Sequence, residues 1–105
     1  MEKKLSFTEK VFERVKLMCA QKEWDFEVNE QNQIVVKSKS NGRVKITSFP
    51  KLREIHVEYN EYYKALDVSY TRDVYRAATR VEIFADVFVT DFEYMSESEY
   101  MKYMN

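Results

Sequence analysis

Phe7, Val11, Val15 and Met18 recur at three- and four-residue spacing, and Phe12 and Cys19 widen the stripe they form. Glu9, Lys10, Glu13, Arg14 and Lys16 cover most of the remaining positions. That period predicts an amphipathic helix with one face turned to a core. Ser6 and Glu9 stand at the spacing of a capping box, in which each side chain satisfies a backbone donor at the helix start.

Alternation then replaces the helical period. Trp24, Phe26 and Val28 alternate with Asp25 and Glu27, which predicts a half-buried strand followed by a turn over Asn29 to Asn32. Ile34 to Lys39 and Arg43 to Phe49 flank Asn41-Gly42, a hairpin signal. A two-residue loop would put Ile34 and Val36 on the opposite face from Val44 and Ile46. A three-residue loop of Ser40, Asn41 and Gly42 puts all four on one face, because a one-residue slip flips every side chain. The three-residue loop is therefore expected, with Gly42 in the left-handed bulge position. Lys39 then opposes Arg43 and Lys37 opposes Lys45, and like charges so placed cost up to about 1 kcal/mol per pair.

Pro50 ends the third strand. Ile55, Val57 and Tyr59 alternate with Glu54, His56 and Glu58 in a fourth. Leu66, Val68 and Tyr70 alternate with Ala65, Asp67 and Ser69 in a fifth, after a turn near Asn60-Glu61. Short connections make sequential strands neighbours, so an antiparallel meander is the simplest arrangement.

The last third supports two readings. As a helix after Thr71, positions Val74, Ala78, Val81, Ala85, Phe88, Phe92 and Met95 keep the three–four rhythm. As a strand, Val81, Ile83, Ala85, Val87 and Val89 alternate without a break, and β-branched residues resist helix. Residues 71 to 80 read as helix in both cases. The long helix is the reading adopted, although Ile83, Val87 and Tyr94 then lie off its main stripe and need a cover, for which a homodimer partner is one candidate. Ser96 and Glu99 form a second capping-box spacing near the end.

These elements predict an α+β fold for residues 1–105 as a single domain. An N-terminal helix packs on an antiparallel meander sheet of four to six strands, with further helix toward the C-terminus. The length of 105 residues suits one modest core. One Gly and one Pro exclude Gly-rich phosphate loops and flexible linkers. Cys19 is the only cysteine, so no intrachain disulfide can form; a reducing compartment and a buried, inert thiol are expected. The segment MEKKLSFTEK lacks the apolar core of a signal peptide, and no apolar run reaches the ~20 residues of a membrane span. Together these point to a cytoplasmic protein that does not enter a membrane.

Enzyme and metal signatures are missing. His56 is the only histidine, flanked by Glu54 and Glu58 on one strand face, with no second His or Cys pair to complete a metal site. No Ser or Thr has a histidine partner at a recognisable spacing. No catalytic residue, metal or cofactor is assigned on this basis, and a histidine on the polar face of a strand is usually only that.

Charge is distributed more tellingly than the net value of −1 implies. From Gln31 to Arg53 there are six basic residues and no acidic one, whereas Val81 to Asn105 holds six acidic residues and only Lys102. Lys37, Lys39, Arg43 and Lys45 make a basic hairpin, and Arg72, Arg76 and Arg80 lie four apart as one stripe on the predicted helix. Such a constellation suits phosphates or an acidic protein surface. Against this, a meander would set the basic strands between Asp25/Glu27 and Glu54/Glu58, neutralising the outer face internally.

Eight tyrosines form the second cluster. Alternation buries Tyr59 and Tyr70, but Tyr62 and Tyr63 point opposite ways, so one of them is expected to be exposed. Interfaces are enriched in Tyr, Met and Arg. The segment EYMSESEYMKYMN adds three of each of Tyr and Met to the acidic end. In general respects the chain looks like the small accessory proteins of bacteria and their phages that bind a larger partner. The leading expectation is a non-catalytic protein-binding module, an inhibitor or regulator of a host protein, with Lys37, Lys39, Arg43, Lys45, Arg72, Arg76, Arg80, Tyr62 and Tyr63 as binding residues. The alternative is a nucleic-acid or nucleotide-phosphate binder using the hairpin 37–45.

Overall fold

A computed structural model describes residues 4–39 and 41–91. The element order is α1 (Phe7–Gln21), β1 (Phe26–Val28), β2 (Ile34–Lys37), β3 (Arg43–Phe49), a 3-10 turn (Pro50–Leu52), β4 (Glu54–Tyr59), β5 (Tyr62–Asp67) and α2 (Val74–Asp91). The five strands form one antiparallel sheet in the order β1-β2-β3-β4-β5. This is an α+β fold with an N-terminal helix, a meander and a C-terminal helix, as the patterning predicts.

The capping box forms as expected. Ser6 Oγ accepts the Glu9 N–H at 3.1 Å and Glu9 Oε1 accepts the Ser6 N–H at 3.0 Å. At its other end α1 stops through backbone geometry. Glu23 takes φ 59° while its N–H bonds Ala20 O and the Trp24 N–H reaches back to Cys19 O. That is the Schellman arrangement, which normally carries glycine because a side chain in the left-handed region is strained. Glu23→Gly is accordingly expected to raise stability by about 0.5–1 kcal/mol in urea unfolding, since the residue is exposed and no other contact is lost.

Both helices lie on one face of the sheet. Val11, Phe12, Val15 and Cys19 from α1 and Ala77, Ala78, Val81, Phe84, Ala85 and Phe88 from α2 share a core with Ile34, Val36, Val44, Ile46, Ile55, Val57, Tyr59 and Leu66. Cys19 is fully buried there, and loss of hydration pushes its thiol up to about 11. A raised thiol pKa means that stability is present below the unfolded value of about 9 and falls as pH rises toward 11. In the native chain Cys19 should resist alkylation at pH 8 and react only on unfolding, which a timed iodoacetamide assay reads directly.

Two details differ from the sequence reading. The first is the β2–β3 register. Lys37 opposes Arg43, Val36 opposes Val44 and Ile34 opposes Ile46, so residues 38–42 form the connection rather than 40–42. The predicted Lys39–Arg43 and Lys37–Lys45 pairs do not exist; Val35 is the partner of Lys45. The shift is two residues and therefore keeps the four aliphatics on one face, the property that the burial argument tested. Asn41, not Gly42, holds the left-handed conformation, with φ 69°. Gly42 is required for space: a Cβ there would stand 2.6 Å from the Tyr59 hydroxyl.

The second is β5. It starts at Tyr62, directly after a two-residue turn at Asn60-Glu61, and ends at Asp67. The Asp67 carboxylate takes the Ser69 N–H at 2.7 Å and the Ser69 hydroxyl at 2.6 Å, turning the chain away before Tyr70, which is exposed rather than buried.

In the last third of the chain the long helix adopted from the sequence forms, and not the alternative strand. Asp73 caps α2 by accepting the Tyr75 N–H at 3.0 Å and the Arg76 N–H at 3.3 Å. Val81, Val87 and Val89 are buried, so packing outweighs their modest reluctance to be helical. Val87 is covered within this chain; Ile83 is 51% exposed. Tyr94, the Ser96/Glu99 capping box and the Tyr/Met-rich segment lie outside the described residues. No described helix is long and apolar enough to cross a membrane.

Candidate functional site

With both helices on one side, the other face of the sheet has no helix packed against it among the described residues. Pairing sets side chains from all five strands in rows across this face. One row runs Glu27, Val35, Lys45, Glu58, Tyr63. Lys37 and Arg43 oppose one another in the next row toward the 38–42 turn. In the other direction come Thr47, His56 and Ala65, then Phe49, Glu54 and Asp67.

His56 anchors the centre. It is 8% exposed, held between Glu54 Oε1, 2.9 Å from Nε2, and the Tyr63 hydroxyl at Nδ1. A carboxylate only accepts, so a neutral His56 donates from Nε2 to Glu54 and accepts the Tyr63 proton at Nδ1. Phe49 lies over the ring at 4.1 Å between centroids, and Tyr63 meets its edge at 5.1 Å. Tyr63 has its acidity weakened first by lost hydration and then by the charges of Glu58 and Glu54, which keep it a hydrogen-bond donor. Both imidazole nitrogens are thus engaged within the sheet. Among the described residues no group of three or more His, Cys, Asp or Glu could hold a metal ion.

Around this anchor the face is polar in charge. Its β2–β3 side carries Lys37, Arg43 and Lys45; its β4–β5 side carries Glu54, Glu58 and Asp67. Of the internal neutralisation weighed above, the register supplies Lys45–Glu58 and sets Asp25 beside Lys37, whose N–H donates to Asp25 O at 2.8 Å, whereas Glu27 faces Val35 and Glu54 is committed to His56. Among the described residues no acid lies within ion-pair distance of a hairpin base. Lys39 sits in the 38–42 connection, where its N–H donates to Val89 O at 3.0 Å and ties the turn to α2.

The remaining sequence candidates do not join this face. Tyr62 projects to the helix side, where it stacks on Phe88 at 6.4 Å, so Tyr62 and Tyr63 share no surface although both are exposed. Arg72 precedes the α2 cap, which corrects the stripe of three: only Arg76 and Arg80 are on the helix. Arg80 lies over the Tyr70 ring at 5.0 Å and donates to Asp67 O at 3.1 Å, a structural engagement. Phe49 and Val35, absent from the sequence candidates, belong to the uncovered face. Val35 could have been suspected, since an apolar residue between the core positions Ile34 and Val36 must point away from the core.

No protein-family model matches the chain, and neither the curated proteins nor the solved structures searched contain a match.

Proposed function

We propose that this protein is a non-catalytic protein-binding module whose docking surface is the uncovered face of its sheet. The observation that carries the reading is one arrangement: Phe49 and Tyr63, 37% and 52% exposed, flank a rigidly held His56 between a basic and an acidic half. Aromatic anchors with complementary charge at the rim are what specific protein interfaces use. A partner of opposite polarity would set an acidic patch on Lys37, Arg43 and Lys45. In a bacterial or phage setting, such a module would act as an inhibitor or regulator of a larger host protein.

The test is a capture experiment from bacterial lysate, run in parallel with wild type and with Phe49→Ala/Tyr63→Ala. Retention of a stoichiometric protein by the wild type alone supports the reading. No stoichiometric partner, or equal capture by the variant, counts against it.

A second reading is supported by Lys37 and Arg43, which oppose one another directly and, among the described residues, have no acid within ion-pair distance. Two like charges held side by side are tolerated more easily when a bound phosphate backbone lies over them. Nucleic-acid or nucleotide-phosphate binding through 37–45 requires an affinity that falls steeply with salt and is weakened by Lys39→Glu/Arg43→Glu. Absence of binding to any polynucleotide at low salt would remove this reading.

A further inference from the structure

The last turn of α2 lies against the connection that borders the uncovered sheet face. Val89 O accepts the Lys39 N–H at 3.0 Å, which ties this end of the helix to residues 38–42. The row of the face nearest that connection holds Lys37 and Arg43. We infer that residues 92–105 turn back around this connection and cover the face, so that a partner must displace the chain's own segment, an inference that rests on the reading of this face as a docking surface.

Composition matches the segment to the face. Residues 92–105 contain Glu93, Glu97 and Glu99 against Lys102 alone, together with four aromatic side chains and three Met. The face offers the complement. Among the described residues Lys37, Arg43 and Lys45 have no acid within ion-pair distance, and Phe49 and Tyr63 are exposed on the same side. Opposite charge and aromatic contact are what join two surfaces specifically.

Reach is ample. Five strands at about 4.8 Å spacing are about 19 Å across, whereas fourteen residues extend to about 46 Å. A segment tethered this close to its site has an effective concentration on the order of millimolar. Contacts too weak to hold a separate peptide therefore suffice.

The outer side of the two helices is the competing surface, and its charge argues against it. Leu17, Tyr75 and Ile83 are exposed there. The second half of α2, however, carries Glu82 and Asp86, which already share Lys22 at 2.8 and 3.8 Å. On α1, Lys16 is paired with Glu13 at 3.0 Å. Three further glutamates would be repelled by this side and attracted by the basic hairpin.

The experiment is paramagnetic broadening in the full chain, with a nitroxide attached at Ser98→Cys; Cys19 is buried and stays unlabelled. Side-chain signals of Lys45, Phe49, His56 and Tyr63 are expected to broaden, while those of Leu17, Tyr75 and Ile83 stay sharp. Glu93→Lys/Glu97→Lys/Glu99→Lys should remove most of the broadening. Adding Lys37→Glu/Arg43→Glu to that variant should restore it, a result that damage to the fold would not give. Broadening centred on Leu17, Tyr75 and Ile83, or confined to the last turn of α2, would overturn the inference. So would broadening that survives the triple charge reversal. Broadening that passes from a labelled chain to a separate, isotope-enriched one would assign the segment to a second copy and overturn it equally. Capture from lysate reports on the docking reading separately. Broadening of the face without a captured partner supports the cover and removes that reading, and capture without broadening does the reverse.

Discussion

Phe88→Ala should destabilise the protein by about 3–5 kcal/mol, a large part of the roughly 5–15 kcal/mol that holds a domain together. The ring is 2% exposed and stacks on Tyr59 at 5.5 Å with 10° between the planes, while Phe84 meets its edge at 5.5 Å. Truncation removes buried apolar area, leaves a cavity between α2 and the sheet, and ends these ring pairs. Ile83→Ala is the control. Ile83 is 51% exposed, so its loss should stay within about 0.5 kcal/mol. Urea unfolding followed by Trp24 fluorescence compares the two. A strand over 81–89 would reverse the order, because Ile83 would then share the inner face and Phe88 would not.

Gly42→Ala is expected to lower stability by about 1–3 kcal/mol, the range for forcing extra atoms into a packed site. Backbone preference argues for the opposite sign. Gly42 has a negative φ, where alanine ordinarily stabilises by about 0.4–1 kcal/mol through the unfolded chain. Sterics should prevail because a Cβ would stand 2.6 Å from the Tyr59 hydroxyl and 2.9 Å from two ring carbons. The ring has little room to retreat. It is 3% exposed, stacked on Phe88, and its hydroxyl is 3.3 Å from Ser38 Oγ, which also accepts the Gly42 N–H at 2.8 Å. A double-mutant cycle isolates this cause: in a Tyr59→Ala background, Gly42→Ala should become neutral or mildly stabilising. An equal penalty in both backgrounds would mean that the contact with Tyr59 is not the reason.

The proposed docking face shows how far reading along the chain can reach. His56 with Glu54 is visible as an i, i+2 pair on one strand face, and the basic character of 37–45 is plain in the composition. Phe49 and Tyr63 are seven residues before and after His56, and nothing local says that they meet over one imidazole. Their meeting depends on the registers of β3–β4 and β4–β5, which are set by turns at two places in the chain.

The α1 stripe and its capping box, the alternating strands and the meander were all legible in the residues, because each rests on contacts or periods local to a few positions. Burial also settled which faces of β2 and β3 turn inward. It could not choose between registers two residues apart, since both bury Ile34, Val36, Val44 and Ile46 equally. That choice involves distant groups: Tyr59 against Gly42, and Val89 O receiving the Lys39 N–H. The same holds for α2. Along the chain, Val81 to Val89 satisfy a helix and a strand alike, and the decision comes from a core in which α1 and the sheet together bury the helical stripe. Local chemistry therefore specified the elements and their inward faces. Long-range packing selected the register, the C-terminal helix and the aromatic face left open on the far side of the sheet.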